Sequence, residues 1–177
     1  MKEILGQPVF TSEQIQARVR EIATGINSLY AGKELVVICV LKGAFMFFAD
    51  LLRYLEVKPE LDFVRIASYG DATTSSRAIS FTKDIEVSIA GKHVLIVEDI
   101  VDTGHSMDFL LKQMEARGAS SISLCALVDK FERREANVRV DFSGFQLPEG
   151  FIVGYGLDYA ERYRELPDIR VLELVEE

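Results

Sequence analysis

The sequence of 177 residues lacks the features of several specialised protein classes. It has only two cysteines, Cys39 and Cys125, and both lie inside apolar runs. This is typical of small buried side chains in a reducing compartment rather than of a disulfide framework. The longest uninterrupted apolar run, Leu35 to Leu41, is far too short to cross a membrane. The first residues have no long apolar core or small-residue cleavage site, so we expect a cytoplasmic protein without an export signal.

Basic residues are also fewer than acidic ones. Lysine and arginine total 20 against 28 aspartate and glutamate residues, which gives a net charge of −8. We therefore expect no nucleic-acid and no membrane partner. Apolar types make up 49% and charged types 27%, which is ordinary for a globular protein. With no repeat, low-complexity block or linker, residues 1–177 are predicted to form a single domain.

Hydrophobic periodicity predicts helices alternating with buried strands. The segments are a helix begun by a Thr11–Gln14 capping box and running to about Tyr30, a strand at Leu35–Leu41, a helix at about Ala44–Leu55, an alternating strand at Leu61–Ala67, a strand at Val94–Val97, a helix stopped by Gly118, and a strand at Ile122–Val128. The last three form a right-handed βαβ unit. This pattern predicts an α/β fold with a central parallel twisted sheet flanked by helices and a core at about residues 30–130.

Two regions depart from this pattern. Residues 68–78 have no apolar period, so they are predicted to be a loop, either a lid or an ordinary hairpin excursion. After Lys130 the pattern is shorter, with short strands predicted around Phe142, at residues 151–153 and at residues 171–172. We expect these, with the N-terminal segment, to form a small cap beside the sheet.

Three carboxylates crowd the turn that follows the strand at residues 94–97. Glu98, Asp99 and Asp102 fall within five residues, which is unfavourable unless a cation, a sugar hydroxyl or a proton relieves the repulsion. In a parallel α/β sheet ligands bind beyond the carboxyl ends of the strands, so this turn is a candidate site. Taken singly, each acid could instead be a helix cap or a solvated loop charge.

The same turn continues into a potential anion site. Thr103, Gly104 and Ser106 stand at the start of a predicted helix, where unpaired N–H groups and the helix dipole attract anions. Gly104 allows close approach of the backbone, and the two hydroxyls can donate to phosphate oxygens. A ligand with both hydroxyls and a phosphate, such as a ribose 5-phosphate, suits both halves of the turn.

At this point the sequence resembles a known family. The segment Val94–Gly104 is similar to the phosphoribosyl-pyrophosphate (PRPP) signature of purine salvage phosphoribosyltransferases, in particular the hypoxanthine-guanine branch. Further motifs of that branch recur in order along nearly the whole chain: Leu41-Lys42-Gly43, Ser68-Tyr69-Gly70, Leu127–Lys130, and Phe151–Tyr159 through Arg164. The resemblance implies the type I phosphoribosyltransferase fold. It also implies transfer of the phosphoribosyl group to hypoxanthine or guanine, giving IMP or GMP and pyrophosphate.

The resemblance also implies roles for individual residues. Glu98 and Asp99 match contacts to the ribose hydroxyls, and Asp102 matches the catalytic residue that faces purine N7. The 5′-phosphate would be held by Thr103, Gly104, His105 and Ser106, with no catalytic part for the His105 side chain. Arg134 matches a position that supports the site.

Other matched positions surround the leaving group and the base. The matched pyrophosphate contacts are Lys42, Gly43 and Arg164, with a cis peptide at Lys42 in the family. The implied metal is Mg²⁺, and the acids implied to bind it are Glu98, Asp99 and Asp158. Purine contacts are implied for Lys130, Phe151, Ile152 and Asp158, with Lys130 on the 6-oxo group, and a lid is implied at Ser68 and Tyr69.

Alternatives to this function remain at the level of the sequence. One is an enzyme that prefers xanthine or accepts a wider range of 6-oxopurines. Another is a non-catalytic regulator that keeps the fold and senses PRPP or nucleotides. The resemblance also leads us to expect a homodimer or homotetramer.

Overall fold

Two sheets organise the computed structural model, which describes residues 2–69, 78–147 and 150–175. In chain order its strands and main helices are β1 (Lys2–Phe10), α1 (Ser12–Tyr30), β2 (Leu35–Val40), α2 (Phe45–Leu52), β3 (Glu60–Tyr69), β4 (Ala78–Lys83), β5 (His93–Val101), α3 (His105–Ala116), β6 (Ser121–Asp129), β7 (Phe142–Gln146), β8 (Ile152–Val153) and β9 (Ile169–Val175). No helix in these described ranges is both long and apolar enough to span a bilayer.

The larger sheet has the strand order β4-β3-β2-β5-β6-β7. Neighbouring strands from β3 to β7 run parallel, and only β4 is antiparallel, to β3. All six residues of β2 are buried: Val37 and Cys39 pack with α1 and α2, whereas Val36 and Ile38 pack in a second cluster with α3. The sheet is therefore covered by helices on both faces, which confirms the predicted fold class.

The local signals at the helix starts are confirmed. At α1 the Thr11 N–H donates to Gln14 Oε1 at 2.8 Å, and the Gln14 N–H donates to Thr11 Oγ1 at 3.3 Å, so the capping box is closed. The helix α2 is shorter than predicted and ends at Leu52. The helix α3 begins directly after Gly104, whose φ of 89° suits glycine.

A smaller antiparallel sheet with the order β1-β9-β8 forms the predicted cap. Its strand β1 is predictable only as part of a terminal segment, because Gly6 and Pro8 interrupt any alternation. The placement of Phe142 in the cap is wrong. Phe142 begins β7, which pairs in parallel with β6 and extends the main sheet to Gln146.

The region of the predicted lid is described only in part. The strand β3 continues through the backbone of Ser68 to Tyr69, and β4 begins at Ala78 and pairs back along β3. The intervening residues 70–77 lie outside the described residues. The lid therefore stays a prediction.

Candidate active site

The candidate site lies at the carboxyl ends of β2, β5 and β6, as expected for a parallel sheet. A cavity of about 620 Å³ opens there, and a second of about 170 Å³ lies along the loop between β5 and α3. Asp99, Ile100 and Asp102 line both cavities. The two cavities thus meet at the acidic segment that the sequence singled out.

Glu98 and Asp99 lie in β5 rather than in the turn after it, because the strand runs on to Val101. Glu98 is buried, and its Oε1 accepts the Asp99 N–H at 2.9 Å. Burial, together with the neighbouring Asp99 carboxylate, raises the pKa of Glu98 well above its ordinary value. An ionised Glu98 therefore needs a cation or hydroxyl donors beside it.

The loop after β2 lies directly against this acidic pair. The Leu41–Lys42 peptide is cis, as the family resemblance implied. A Cβ at Gly43 would lie 1.6 Å from Asp99 Oδ2. Only glycine therefore allows the loop to approach the carboxylate this closely.

The smaller cavity has the form of an anion cradle. Thr103, Gly104 and Ser106 line it at the start of α3. Behind the loop, Arg134 Nε donates to the Asp102 carbonyl at 3.0 Å, and a Cβ at Gly104 would lie 2.8 Å from Arg134 Cδ. Arg134 therefore packs against the back of this loop, and its supporting role in the site stays a prediction. The His105 side chain pairs with Glu135 at 2.8 Å.

Asp102 presents a free oxygen at the junction of the two cavities. Its Oδ1 is buried and has no hydrogen-bond partner among the described residues. Its Oδ2 lies 3.2 Å from Arg133 Nη1. An unpaired buried carboxylate oxygen is costly unless a ligand donates to it. Arg133 was not predicted to be in the site, although it lies three residues after Lys130.

The larger cavity combines one buried cation with apolar walls. Lys130 is only 5% exposed, and its Nζ donates to the Gly150 carbonyl at 2.8 Å. Burial lowers the pKa of Lys130, and nearby Asp102 partly offsets this effect. The Phe151 ring is half-exposed and meets Tyr159 edge-on, while Ile152 is buried. A flat ligand with a carbonyl acceptor fits this lining.

Lys42, Asp158 and Arg164 meet in a charged cluster at the edge of the site. Arg164 Nη2 lies 2.8 Å from Asp158 Oδ1, and Arg164 Nη1 donates to the Gly156 carbonyl at 2.7 Å. Lys42 Nζ donates to Glu161 Oε2 at 3.0 Å. Only Asp158 of these residues lines the larger cavity. Glu161 was not predicted to have any role.

The predicted metal trio of Glu98, Asp99 and Asp158 is not preassembled. In the described part of the chain, no three His, Cys, Asp or Glu side chains form a group that could hold a metal ion. Asp158 is occupied by Arg164 and by the Glu161 N–H. Because Mg²⁺ commonly takes one or two carboxylates and completes its shell with substrate phosphates and water, a substrate-free site need not hold three.

Comparison with known proteins agrees with this geometry. Residues 9–160 match the family model of the phosphoribosyl transferase domain. The chain therefore belongs to the phosphoribosyl transferase family, which confirms the resemblance.

Its relatives carry more particular names. The hypoxanthine-guanine phosphoribosyltransferase of Bacillus subtilis strain 168 is 42% identical over 173 residues, covering 98% of this chain and 96% of the relative. The hypoxanthine phosphoribosyltransferase of Escherichia coli strain K12 is 43% identical over 166 residues, covering 93% of each.

Solved structures agree with both the fold and the family. A hypoxanthine-guanine phosphoribosyltransferase of Bacillus anthracis superposes with a TM-score of 0.91 at 39% identity. The superposition covers 98% of this chain and 100% of that structure's chain. A mutant hypoxanthine phosphoribosyltransferase of Trypanosoma cruzi, solved as a ternary substrates complex, has a TM-score of 0.89 at 41% identity over 94% of each chain.

The raised pKa of Glu98 predicts how stability changes with pH. Protonated Glu98 stabilises the folded wild type fully below pH 4.5, the ordinary pKa of glutamate. This stabilisation is lost as the pH rises through the raised pKa of the folded state. Without ligands, Glu98→Gln should therefore raise the melting temperature near pH 7.5 by about 2 to 4 °C, the shift expected for about 1 kcal/mol in a domain of this size. The gain should vanish near pH 4.

Thermal unfolding of both proteins across this pH range measures the effect. Glu115→Gln, at an exposed position of α3, is the matched control and should change little. A melting temperature at neutral pH that is unchanged or lowered by Glu98→Gln would contradict the interpretation.

Proposed function

We propose that the chain is a hypoxanthine-guanine phosphoribosyltransferase, which transfers the 5-phosphoribosyl group from PRPP to hypoxanthine or guanine. The products are IMP or GMP and pyrophosphate. The observation that carries the proposal is the junction of the two cavities at Asp99 and Asp102. A ribose bound there would have the smaller cavity, with its anion cradle, on one side. On the other side it would have the larger cavity, which contains the Lys130 ammonium.

The acidic pair suits the electronic demand of this reaction. As the bond from C1′ to pyrophosphate breaks and the bond to the base forms, positive charge builds on the ribose. Asp99 lines both cavities and Glu98 lines the smaller one, so their negative charge would favour that state. Asp102 Oδ1, buried and unpaired among the described residues, is the group offered to N7 as proton acceptor or hydrogen-bond partner.

The larger cavity fits a 6-oxopurine. The Lys130 ammonium already donates to a carbonyl, that of Gly150, and can donate to a 6-oxo group in the same way. An amino group at that position, as in adenine, would place donor against donor. Phe151 supplies an aromatic wall, and the backbone at Ile152 borders the base edge.

The edge of the site suits the leaving group. Lys42, Gly43 and Arg164 would contact pyrophosphate, because they supply two cations and a close backbone approach. The donor set fits Mg²⁺, which prefers oxygen, with Asp99 and Asp158 lining the larger cavity. When bound, the ion would offset charge on the departing pyrophosphate. Ser68 and Tyr69 are proposed to begin a lid that excludes water.

The cellular setting is part of the same proposal. Cys39 and Cys125 are both buried and unbonded, which supports a cytoplasmic, reducing environment. We propose a homodimer or homotetramer with no nucleic-acid or membrane partner, in keeping with the net charge of −8.

A panel of four purines tests the proposal. With PRPP and Mg²⁺, hypoxanthine or guanine should release pyrophosphate fastest, xanthine more slowly, and adenine hardly at all. If xanthine were best, the xanthine-preferring alternative would replace the proposal, and if adenine were best, the role of Lys130 would be wrong. No release with any base, together with tight RNA or DNA binding, would favour the regulator.

Asp102→Asn should lower kcat by about 100-fold or more, because the amide cannot accept the proton. Binding of PRPP should be largely retained, since the anion cradle is unaltered. Steady-state rates and PRPP titration measure the two effects. Asp108→Asn, an acid of α3 that pairs with Lys112, is the control. An unchanged kcat after the Asp102→Asn substitution would reject the assignment.

Lys130→Ala should weaken purine binding by about 10- to 100-fold, the range expected for losing a charged hydrogen bond. The KM for PRPP should change much less. Comparing the two KM values with those of the exposed-site control Lys112→Ala checks the prediction. Equal losses for both substrates would count against the 6-oxo contact.

A further inference from the structure

Two cations of the proposed pyrophosphate site already share an anion. Lys42 Nζ donates to Glu161 Oε2 at 3.0 Å, and Arg164 Nη2 donates to the same oxygen at 3.2 Å. Lys42 comes from the loop after β2, whereas Glu161 and Arg164 lie in the segment between β8 and β9. The carboxylate therefore stands between the two groups that would hold pyrophosphate.

Local structure places Glu161 at the tip of a tight turn. Tyr159 and Arg162 form a bridge across it, and the two central residues, Ala160 and Glu161, both have positive φ, 50° and 63°. Such values are unfavourable for residues other than glycine, asparagine and aspartate. The turn is held by the Glu161 N–H, which donates to Asp158 Oδ2 at 2.8 Å. From this turn the Glu161 side chain reaches both cations.

The carboxylate is held by charge and remains accessible. The Glu161 side chain is 62% exposed, whereas that of Arg164 is 19% exposed. A solvent-exposed glutamate is negatively charged at neutral pH, and both Lys42 and Arg164 donate hydrogen bonds to it. Ion pairs at such exposed positions are weak, and a ligand of higher charge can displace the carboxylate.

We propose that Glu161 is an internal anion that competes with the pyrophosphate group for Lys42 and Arg164, and thereby sets the affinity of the site for PRPP and pyrophosphate. The inference rests on the pyrophosphate contacts of the proposed function. A pyrophosphate carries several negative charges against one on Glu161, so it wins the exchange. Each binding event nevertheless loses the two ion pairs, and each release regains them.

The test is the affinity for inorganic pyrophosphate with Mg²⁺, measured by calorimetry. Glu161→Gln removes the charge and keeps the size, and it should tighten binding by about three- to tenfold, the range for losing one or two exposed ion pairs. The KM for PRPP should fall in parallel, with the KM for hypoxanthine unchanged. The gain should shrink in about 0.5 M salt, which screens exposed charges.

Glu165→Gln is the matched control, because this exposed neighbour pairs with no cation in the described part of the chain. It makes the same change in net charge and should leave pyrophosphate affinity unaltered. Affinity that is unchanged or weaker in Glu161→Gln would overturn the competition, since weaker binding means that Glu161 orients the cations for the ligand. Equal tightening in both variants would also overturn it, as a general charge effect.

A third variant separates this inference from the proposed function. Lys42→Ala should weaken pyrophosphate binding, and in that background Glu161→Gln should gain less than it does in the wild type. If Lys42→Ala binds as the wild type does, the proposed pyrophosphate contact of Lys42 is wrong. If Lys42→Ala weakens binding and Glu161→Gln still has no effect, only the competition is wrong.

Discussion

The site depends on the burial of a carboxylate at the end of β5. Glu98 lies in a central strand of the larger sheet, where its charge has little access to water. Burying a carboxylate is costly, and the raised pKa of Glu98 expresses that cost. A ligand that brings hydroxyl donors or positive charge relieves it. The folded chain thus holds a local instability, and in the proposed function a ribose with developing positive charge would reduce it.

Close backbone contacts place the other groups around this carboxylate pair. Gly43 brings the loop after β2 against Asp99, and a Cβ at Gly156 would lie 2.1 Å from the Gly43 carbonyl oxygen. Three segments far apart in the chain are therefore packed within contact of one another. Because each contact leaves no room for a side chain, the spacing between the loop after β2, the acidic pair of β5 and the Gly156 segment is set by backbone rather than by rotamers.

Strong local signals account for the elements that could be predicted. Each of these signals comes from burial or capping that neighbouring residues in the sequence report. They are the Thr11 capping box, the buried run of β2 and the apolar patterns of the βαβ unit from β5 to β6. The edge strand β7 was harder to place, since its five residues include Gly144 and alternate weakly. The strand β1 has no fully buried residue and carries Gly6 and Pro8. Edge strands carry weak hydrophobic patterns because they have a neighbouring strand on one side only, and the other side is open to water.

The sequence by itself determined the chemistry available: the acids Glu98, Asp99 and Asp102, the glycine-containing start of α3, and Lys130 at a strand end. Tertiary structure alone decided which charges meet. Arg133 pairs with Asp102, Arg164 occupies Asp158, and Glu161 reaches Lys42 across 119 residues of chain. Hydrophobic periodicity reports which side of an element faces the core. It carries no information on pairings between polar side chains of distant loops, which the packing of the two sheets creates.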